Sequence, residues 1–417
     1  MKNKPRILFL AHSASLNGAT ILLLHLLRWL RNAVDWELEV LVHGSGPLLE
    51  EIRSVAPTMV WRSPVSLLPT FFRNKMTGLQ SPLEVQCLKT LLMGRRYDLI
   101  YANTVAAWPL VKALQDRAPA LLWHIHELVY ALRLCLGEQR INELFQATSR
   151  FVVVSKSVGD ALSREYGVGS DRVELVQGFI SPNHLCALER REQRERVRKS
   201  FGWPENVFTV GGCGTLGWRK GTDLFLQIAR DISRTRGCEN VRFLWVGGGK
   251  EDQEALEFDH DLRVLGLEGR CSRIPATTDV LHFYSAMDVL AVTSREDPFP
   301  LVMLEAASHG IPIVCFADSG GVPEFVGEDA GLIAPYLDVS AFAAHLIRLQ
   351  DTPNLRERLG AVALSKVLTE NSVEIQAPKL QKIIENRLPL ASASLHNPQP
   401  VARRSGPSVA PGPVCQK

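Results

Sequence analysis

Short apolar, β-branched runs alternate with stretches of helical pattern along nearly the whole chain. RILFLAHS (6–13) reads as a buried strand and GATILLLHLLRWLRNA (18–33) as the helix that follows it. ELEVLVHG (37–44) is a second strand, after which Pro47 sits where a first helical turn accepts proline. SPLEVQCLKTLLM (81–93) opens on Ser81, Pro82 and Glu84, the pattern of a capping box. YDLIYANT, LLWHIHE and RFVVVSKS carry the strand series to residue 157. Strand and helix in repeated alternation predict a parallel sheet with helices on both faces.

The pattern breaks at ALERREQRERVRKSFGWPEN (187–206), a charged helix with offset pairs such as Glu192–Arg196 and Glu195–Lys199. Its charges alternate in sign, which fits a solvated linker better than a nucleic-acid surface. A second strand series follows: VFTVGGCGT (207–215), VRFLWVGGG (241–249), DVLAVTS (288–294) and IPIVCFA (311–317). The chain thus divides into a Rossmann-like domain over 1–186, a linker helix over 187–206 and a second Rossmann-like domain over 207–370. A final helical segment follows over 371–388, with an apolar stripe and Pro378 as a kink. The rest, 389–417, is rich in Pro, Ser and Ala and is expected to be disordered. Two doubly wound domains joined this way face each other across a cleft, with ligands beyond the carboxyl ends of their strands.

Composition narrows the class without choosing a chemistry. At 46% hydrophobic and 22% charged residues the chain can bury sizeable cores. A net charge of +3 demands no nucleic-acid partner. The eight cysteines form no CxxC pair, which argues against a zinc site or a disulfide framework. No signal peptide or bilayer-spanning apolar run is evident, so a cytoplasmic location is expected.

The turns after the strands carry the chemistry. In GTLGWRKGTDLF (214–225), Gly214, Gly217 and Gly221 permit close backbone approach, and Arg219 and Lys220 precede a helix start. Free N–H groups beside two cations make an anion site suited to phosphate. The turn contains no GxxxxGK[ST], and WVGGGKED (245–252) lacks GxGxxG, so neither a Walker loop nor a dinucleotide fingerprint is present there. SREDPFPLVMLEAASHGIPIV (294–314) holds a lone carboxylate, Glu305, inside a short apolar helix that ends at Gly310. A desolvated carboxylate needs a polar partner, and the paired hydroxyls of a ribose would serve. Asp297 lies near the start of that helix, where capping competes with a ligand role. ADSGGVPEFV (317–326) places the amides of Gly320, Gly321 and Val322 where they could cradle a diphosphate.

REDPFPLVMLEAASHGIPIVCFADSGGVPEFV resembles the signature of retaining glycosyltransferases of family 4, which have the GT-B fold. That signature is two glutamates with seven residues between, followed by a Gly-Gly-x-x-Glu turn; Asp297 and Glu305 hold the two places here. GWRKGTDLFL is similar to the family's phosphate turn, and SASLNGATILLLHLL to its N-terminal glycine loop. The likeness runs to residue 388 and implies that the last helix crosses back onto the first domain. By position it implies that Glu305 holds the donor ribose, Asp297 the donor sugar, and Lys220 with Arg219 the leaving diphosphate. It also puts Gly18, Thr215, Leu301 and Val302 on the donor. His126 in WHIHEL matches the family's histidine facing the transferred sugar, with His124 on the same strand face as the alternative. Two departures stand out: the first acidic residue is Asp297 rather than glutamate, and Thr215 replaces the usual arginine of the phosphate turn.

The reading is therefore sugar transfer, with retention, from a nucleotide-diphosphate sugar to a hydroxyl of a saccharide or glycolipid. No cofactor is expected, and with no clear Asp-x-Asp on a cleft turn the charge is expected to be offset without a metal ion. The first domain offers no obvious nucleophile, which favours front-face transfer. A nucleotide-sugar epimerase of the same fold would use the same donor residues without an acceptor; a non-catalytic nucleotide-sugar binder would also keep them. SLLPTFFRNKMTG (66–78), with Arg73 and Lys75, could touch the inner face of a membrane holding a lipid-linked acceptor, against the competing reading of a buried loop.

Overall fold

The computed structural model describes residues 4–61, 82–182, 187–204 and 206–389. Its first sheet contains β1 (Arg6–Ala11), β2 (Glu37–Val42), β3 (Thr58–Val60), β4 (Leu99–Asn103), β5 (Ala120–Ile125), β6 (Phe151–Val153) and β7 (Val173–Leu175). Their order in space is β3-β2-β1-β4-β5-β6-β7, with parallel pairing throughout. The second sheet contains β8 (Phe208–Cys213), β9 (Val241–Val246), β10 (Cys271–Ile274), β11 (Val289–Val292), β12 (Ile313–Phe316) and β13 (Gly331–Ala334). Its order is β10-β9-β8-β11-β12-β13, again parallel.

Helices cover both faces of each sheet, so central strands such as LIYAN of β4 and IVCF of β12 are buried at every residue. In each sheet the chain winds outward from one strand, then returns to that strand's other side. The reversals fall between β1 and β4 and between β8 and β11. Loops leaving such neighbours part in opposite directions and open a crevice at the carboxyl ends.

Helix Gly18–Ala33 starts at the first reversal, capped by Asn17, whose side chain accepts from Thr20 N at 2.9 Å. Against it packs the last described helix, Val373–Glu385, which contains Pro378 and buries Val373, Ala377, Leu380 and Ile384. Trp29 Nε1 on the first helix donates to Gln381 Oε1 on the last at 3.2 Å.

The charged helix Ala187–Ser200 is less solvated than its sequence predicts. Arg198 is buried, donating to Asp288 Oδ2 at 2.7 Å and to Ala286 O at 3.1 Å, and Arg194 reaches Asp288 Oδ1. Asp288 also accepts from Thr209 N at 2.8 Å, which ties the helix to the start of the second sheet. An exposed pair, Arg191–Glu195 at 2.9 Å, forms on its outer side. Among the described residues no helix is long and apolar enough to cross a membrane. The loop 66–78, Ser81 of the capping box and the segment 390–417 lie outside the described residues.

Candidate active site

A cavity of about 780 Å³ lies between the two sheets, lined by loops that leave the carboxyl ends of strands on both sides. That volume is in the ordinary range of small-ligand sites. Gly18, His126, Thr215, Arg219, Lys220, Asp297, Leu301, Val302 and Glu305 all border it.

One corner is cationic because of a tight turn. After β8, residues Trp218–Lys220 make a single 3-10 turn that ends at Gly221 with φ 64°. A Cβ at Gly221 would fall 2.0 Å from Thr293 O, so only glycine lets this turn seat against the end of β11. Lys220 is thereby fixed beside the loop after β11. Its Nζ donates to Asp297 Oδ2 at 2.6 Å, and Ser294 Oγ donates to the same oxygen at 3.0 Å. Arg219 donates to Glu296 O at 3.0 Å and lies 3.8 Å from Asp297 Oδ1. Lys220 and Asp297 are almost wholly buried, at 12% and 5% side-chain exposure, and each is tolerable there because the other is present. Thr215 borders the cavity without a charge, and Arg219 supplies the guanidinium on the same wall.

Glu305 lies on the short helix Leu301–Ser308. The residue is half-buried, open on its cavity side, yet protein crowds it enough to desolvate the carboxylate. Burial raises its pKa, and a hydrogen bond from the Tyr284 hydroxyl at 2.8 Å opposes the rise. The neighbouring Cys213 thiol is pushed up to about 12 by burial, which keeps it neutral. Glu305 therefore presents an acceptor to the cavity with a hydroxyl, not a cation, as its partner.

The two histidines separate cleanly. His124 is fully buried, with Nδ1 at 2.5 Å from the Tyr101 hydroxyl and its ring 4.2 Å from that of His126. His126 is the one on the cavity wall. Asn103 Nδ2 is committed to Ala19 O at 3.0 Å, so its Oδ1 accepts from His126 Nε2 at 3.0 Å. That leaves His126 Nδ1 as an acceptor. Burial, with His12 nearby, drives the pKa of His126 down to about 3, so the ring is neutral at ordinary pH.

Beside it the structure corrects one expectation: the first half does put a carboxyl on the cavity wall, Glu127. Its Oε2 accepts from His126 N at 2.9 Å and Val105 N at 3.4 Å, bracing the loops after β5 and β4. Burial lifts its pKa to about 7.

A second correction concerns the Gly-Gly turn. Gly320, Gly321 and Val322 do not border the cavity, and the Gly321 amide is spent on Asp297 O at 3.0 Å. Asp297 N in turn donates to Ser319 O at 2.7 Å. A Cβ on Gly320 would fall 2.1 Å from Asp297 O. The Gly321 amide thus clamps the backbone of Asp297 and is not free to cradle a diphosphate.

Sequence reasoning missed Tyr284, Ser294, Asn103 and Glu127. Asn103 and Glu127 follow the rule applied elsewhere, since each stands at or just after the carboxyl end of a central strand. Tyr284 closes a helix of five residues and has no motif around it. Among the described residues no cluster of three or more His, Cys, Asp or Glu side chains could hold a metal ion.

A family model described as Glycosyl transferases group 1 matches residues 206–352, and one described as Glycosyltransferase Family 4 matches residues 16–184. The chain belongs to glycosyltransferase family 4. This glycosyltransferase is 27% identical over 324 residues to the GDP-mannose-dependent monoacylated alpha-(1-6)-phosphatidylinositol monomannoside mannosyltransferase of Corynebacterium glutamicum, covering 74% of this chain and 81% of that one. It is 26% identical over 188 residues to the amylovoran biosynthesis glycosyltransferase AmsD of Erwinia amylovora, covering 45% of this chain and only 49% of that relative. The crystal structure of Anabaena HepE in complex with UDP and glucose matches with a TM-score of 0.75 at 21% identity, over 91% of this chain and 99% of that one. WaaG, a glycosyltransferase involved in lipopolysaccharide biosynthesis, matches with a TM-score of 0.68 at 16% identity, over 91% and 99%. The glycosyltransferase has the GT-B fold, and its activity is sugar transfer from a nucleotide-sugar donor.

Proposed function

We propose that the cavity seats a nucleoside-diphosphate sugar with its ribose at Glu305, its diphosphate at Lys220 and Arg219, and the transferred sugar between Asp297 and His126. The observation that carries this reading is the spacing of charge along one wall. A buried cationic corner adjoins Asp297, and an acceptor-only carboxylate, Glu305, stands apart from it without a cation. A diphosphate suits the first and a vicinal diol the second. Gly18 contributes room: a Cβ there would meet only Leu301 Cγ, at 3.8 Å, so the space it leaves is on the ligand side.

In the reaction the bond from the anomeric carbon to the diphosphate oxygen breaks while a bond forms from the acceptor hydroxyl oxygen to that carbon. The hydroxyl proton passes to the departing phosphate oxygen on the same face, so configuration is retained. Negative charge grows on the diphosphate, where Lys220 and Arg219 already stand, and preorganised charge of this kind is commonly the largest catalytic term. These two cations support transfer without a metal ion. Asp297 and the neutral His126, through Nδ1, accept from sugar hydroxyls and hold the ring as it flattens. The acceptor is a saccharide or glycolipid, with peripheral membrane contact where it is lipid-linked; the mannosyltransferase relative is named for a phosphatidylinositol monomannoside and AmsD for amylovoran synthesis.

The test is incubation of the wild type, Lys220→Ala and Asp297→Asn with UDP-, GDP-, ADP- and dTDP-sugars and a pool of glycolipid and saccharide acceptors, with products read by NMR. One donor class is expected to give a product of retained configuration, and each variant to lose about a hundredfold or more in kcat. An inverted product, or an epimerised sugar with nothing transferred, contradicts the reading.

A further inference from the structure

Two helices of the first half begin at the cleft with caps that their own surroundings leave incomplete. Helix Val129–Leu136 has Leu128 at its N-cap, an alkyl side chain with no acceptor to offer. Leu132 N makes the first bond of the helix, to Leu128 O, so the N–H groups before it, those of Tyr130 and Ala131 among them, have no acceptor within the helix. Glu296, from the second half, takes both: Oε2 accepts from Tyr130 N at 3.0 Å and Oε1 from Ala131 N at 3.2 Å. Helix Lys156–Tyr166 has Ser155 at its N-cap, which accepts from Val158 N at 3.3 Å. Its two remaining donors go to Glu324, with Lys156 N to Oε2 at 3.0 Å and Ser157 N to Oε1 at 2.5 Å. The Ser157 hydroxyl lies between Glu324 Oε1 and Gly320 O, 2.9 Å from the latter.

Each carboxylate thus completes a helix start whose positive end faces it across the cleft. Both are joined directly to the proposed sugar contact. Glu296 precedes Asp297 in the chain, and Glu324 follows the turn whose Gly321 amide holds Asp297 O. Tyr130 also packs its ring 4.9 Å from that of Trp218, the residue before Arg219. Neither glutamate borders the cavity.

We infer that Glu296 and Glu324 form a two-point latch that holds the halves closed and sets Asp297 and the Arg219–Lys220 turn against the half carrying His126. Each bond is one that water replaces when the cleft opens, so the latch is reversible and its loss leaves both sheets intact. The two glutamates are positioning residues, because they act on the sugar through the loops that carry Asp297. That catalytic consequence rests on the function proposed above; the closure does not.

Small-angle X-ray scattering of the full chain without ligand, on the wild type, Glu296→Ala, Glu324→Ala and the double variant, separates the two. The expected result is a larger radius of gyration for each single variant and more for the double, with unchanged cooperative melting. Glu296→Gln and Glu324→Gln should fall between, because an amide oxygen still accepts one of the two N–H groups. In turnover, the closed state becoming a minority should raise the donor KM about tenfold while kcat falls less, and the Gln variants should recover part of it. A double variant, Ala or Gln, that scatters as the wild type does overturns the latch, whatever its activity. Expansion with no turnover in any chain, wild type included, would keep the latch and sink the proposed function.

Discussion

Glu127 is the buried acid next in sequence to His126, the histidine on the cavity wall, and its environment makes it responsive to pH. Burial raises its pKa from 4.5 to about 7, against the pull of backbone N–H groups from His126 and Val105. In the unfolded chain the same carboxyl ionises near its ordinary value, so the folded state holds a proton that the unfolded state has already lost. The stability tied to that proton is complete below pH 4.5 and is lost as pH rises through about 7. Thermal melts should therefore fall more steeply between pH 5 and pH 8 in the wild type than in Glu127→Gln, with parallel curves contradicting the assignment. Front-face transfer needs no carboxylate nucleophile, so Glu127→Gln should keep kcat within about tenfold of the wild type. A loss of about ten-thousandfold would instead mark a covalent intermediate on this residue. Lys220, Asp297 and Glu305 were legible in the sequence because their neighbours announce a turn or an apolar helix around a charge. Their partners were not. Tyr284 reaches Glu305 from another helix, and Asn103 fixes the His126 tautomer from the next strand, pairings that only tertiary structure creates.

At the scale of elements, the helix Ala187–Ser200 shows how charge can mislead. Its sequence reads as solvated, yet Asp288 draws Arg194 and Arg198 into the second sheet. Asp288→Ala should cost about 3–5 kcal/mol in urea unfolding, because it removes the one carboxylate to which Arg194, Arg198 and Thr209 N all donate; a change near zero would show that the pair is replaceable by water. The central strands were legible from runs of apolar residues long enough to exclude other readings. The four that were not, β3, β7, β10 and β13, are all edge strands of three or four residues. An edge strand pairs on one side only and can be brief and part-exposed, as TMV and VEL are, so it leaves little pattern. The Gly-Gly turn was read as a set of amides free to cradle a diphosphate, yet the Gly321 amide is taken up by backbone. Gly320 faces the Asp297 carbonyl and Gly321 that of Pro298, and composition alone does not distinguish a backbone neighbour from a phosphate.

For the whole molecule, two parallel sheets turn their reversal points toward one cavity, and the chain's last described helix packs on its first. The cationic corner and Glu305 come from one half, while His126, Glu127 and Gly18 come from the other. A donor bound in this way touches both halves, so it favours the closed cleft by as much as it binds that state more tightly than the open one. The most direct test of that account is calorimetric titration of UDP, GDP, ADP and dTDP and their common sugars into the wild type and Glu305→Ala. One nucleotide should bind the wild type and weaken by about tenfold or more in the variant, whose melting without ligand stays close to that of the wild type. Equal affinity in the two chains would contradict the placement of the ribose at Glu305, and with it the orientation of the donor in the cleft.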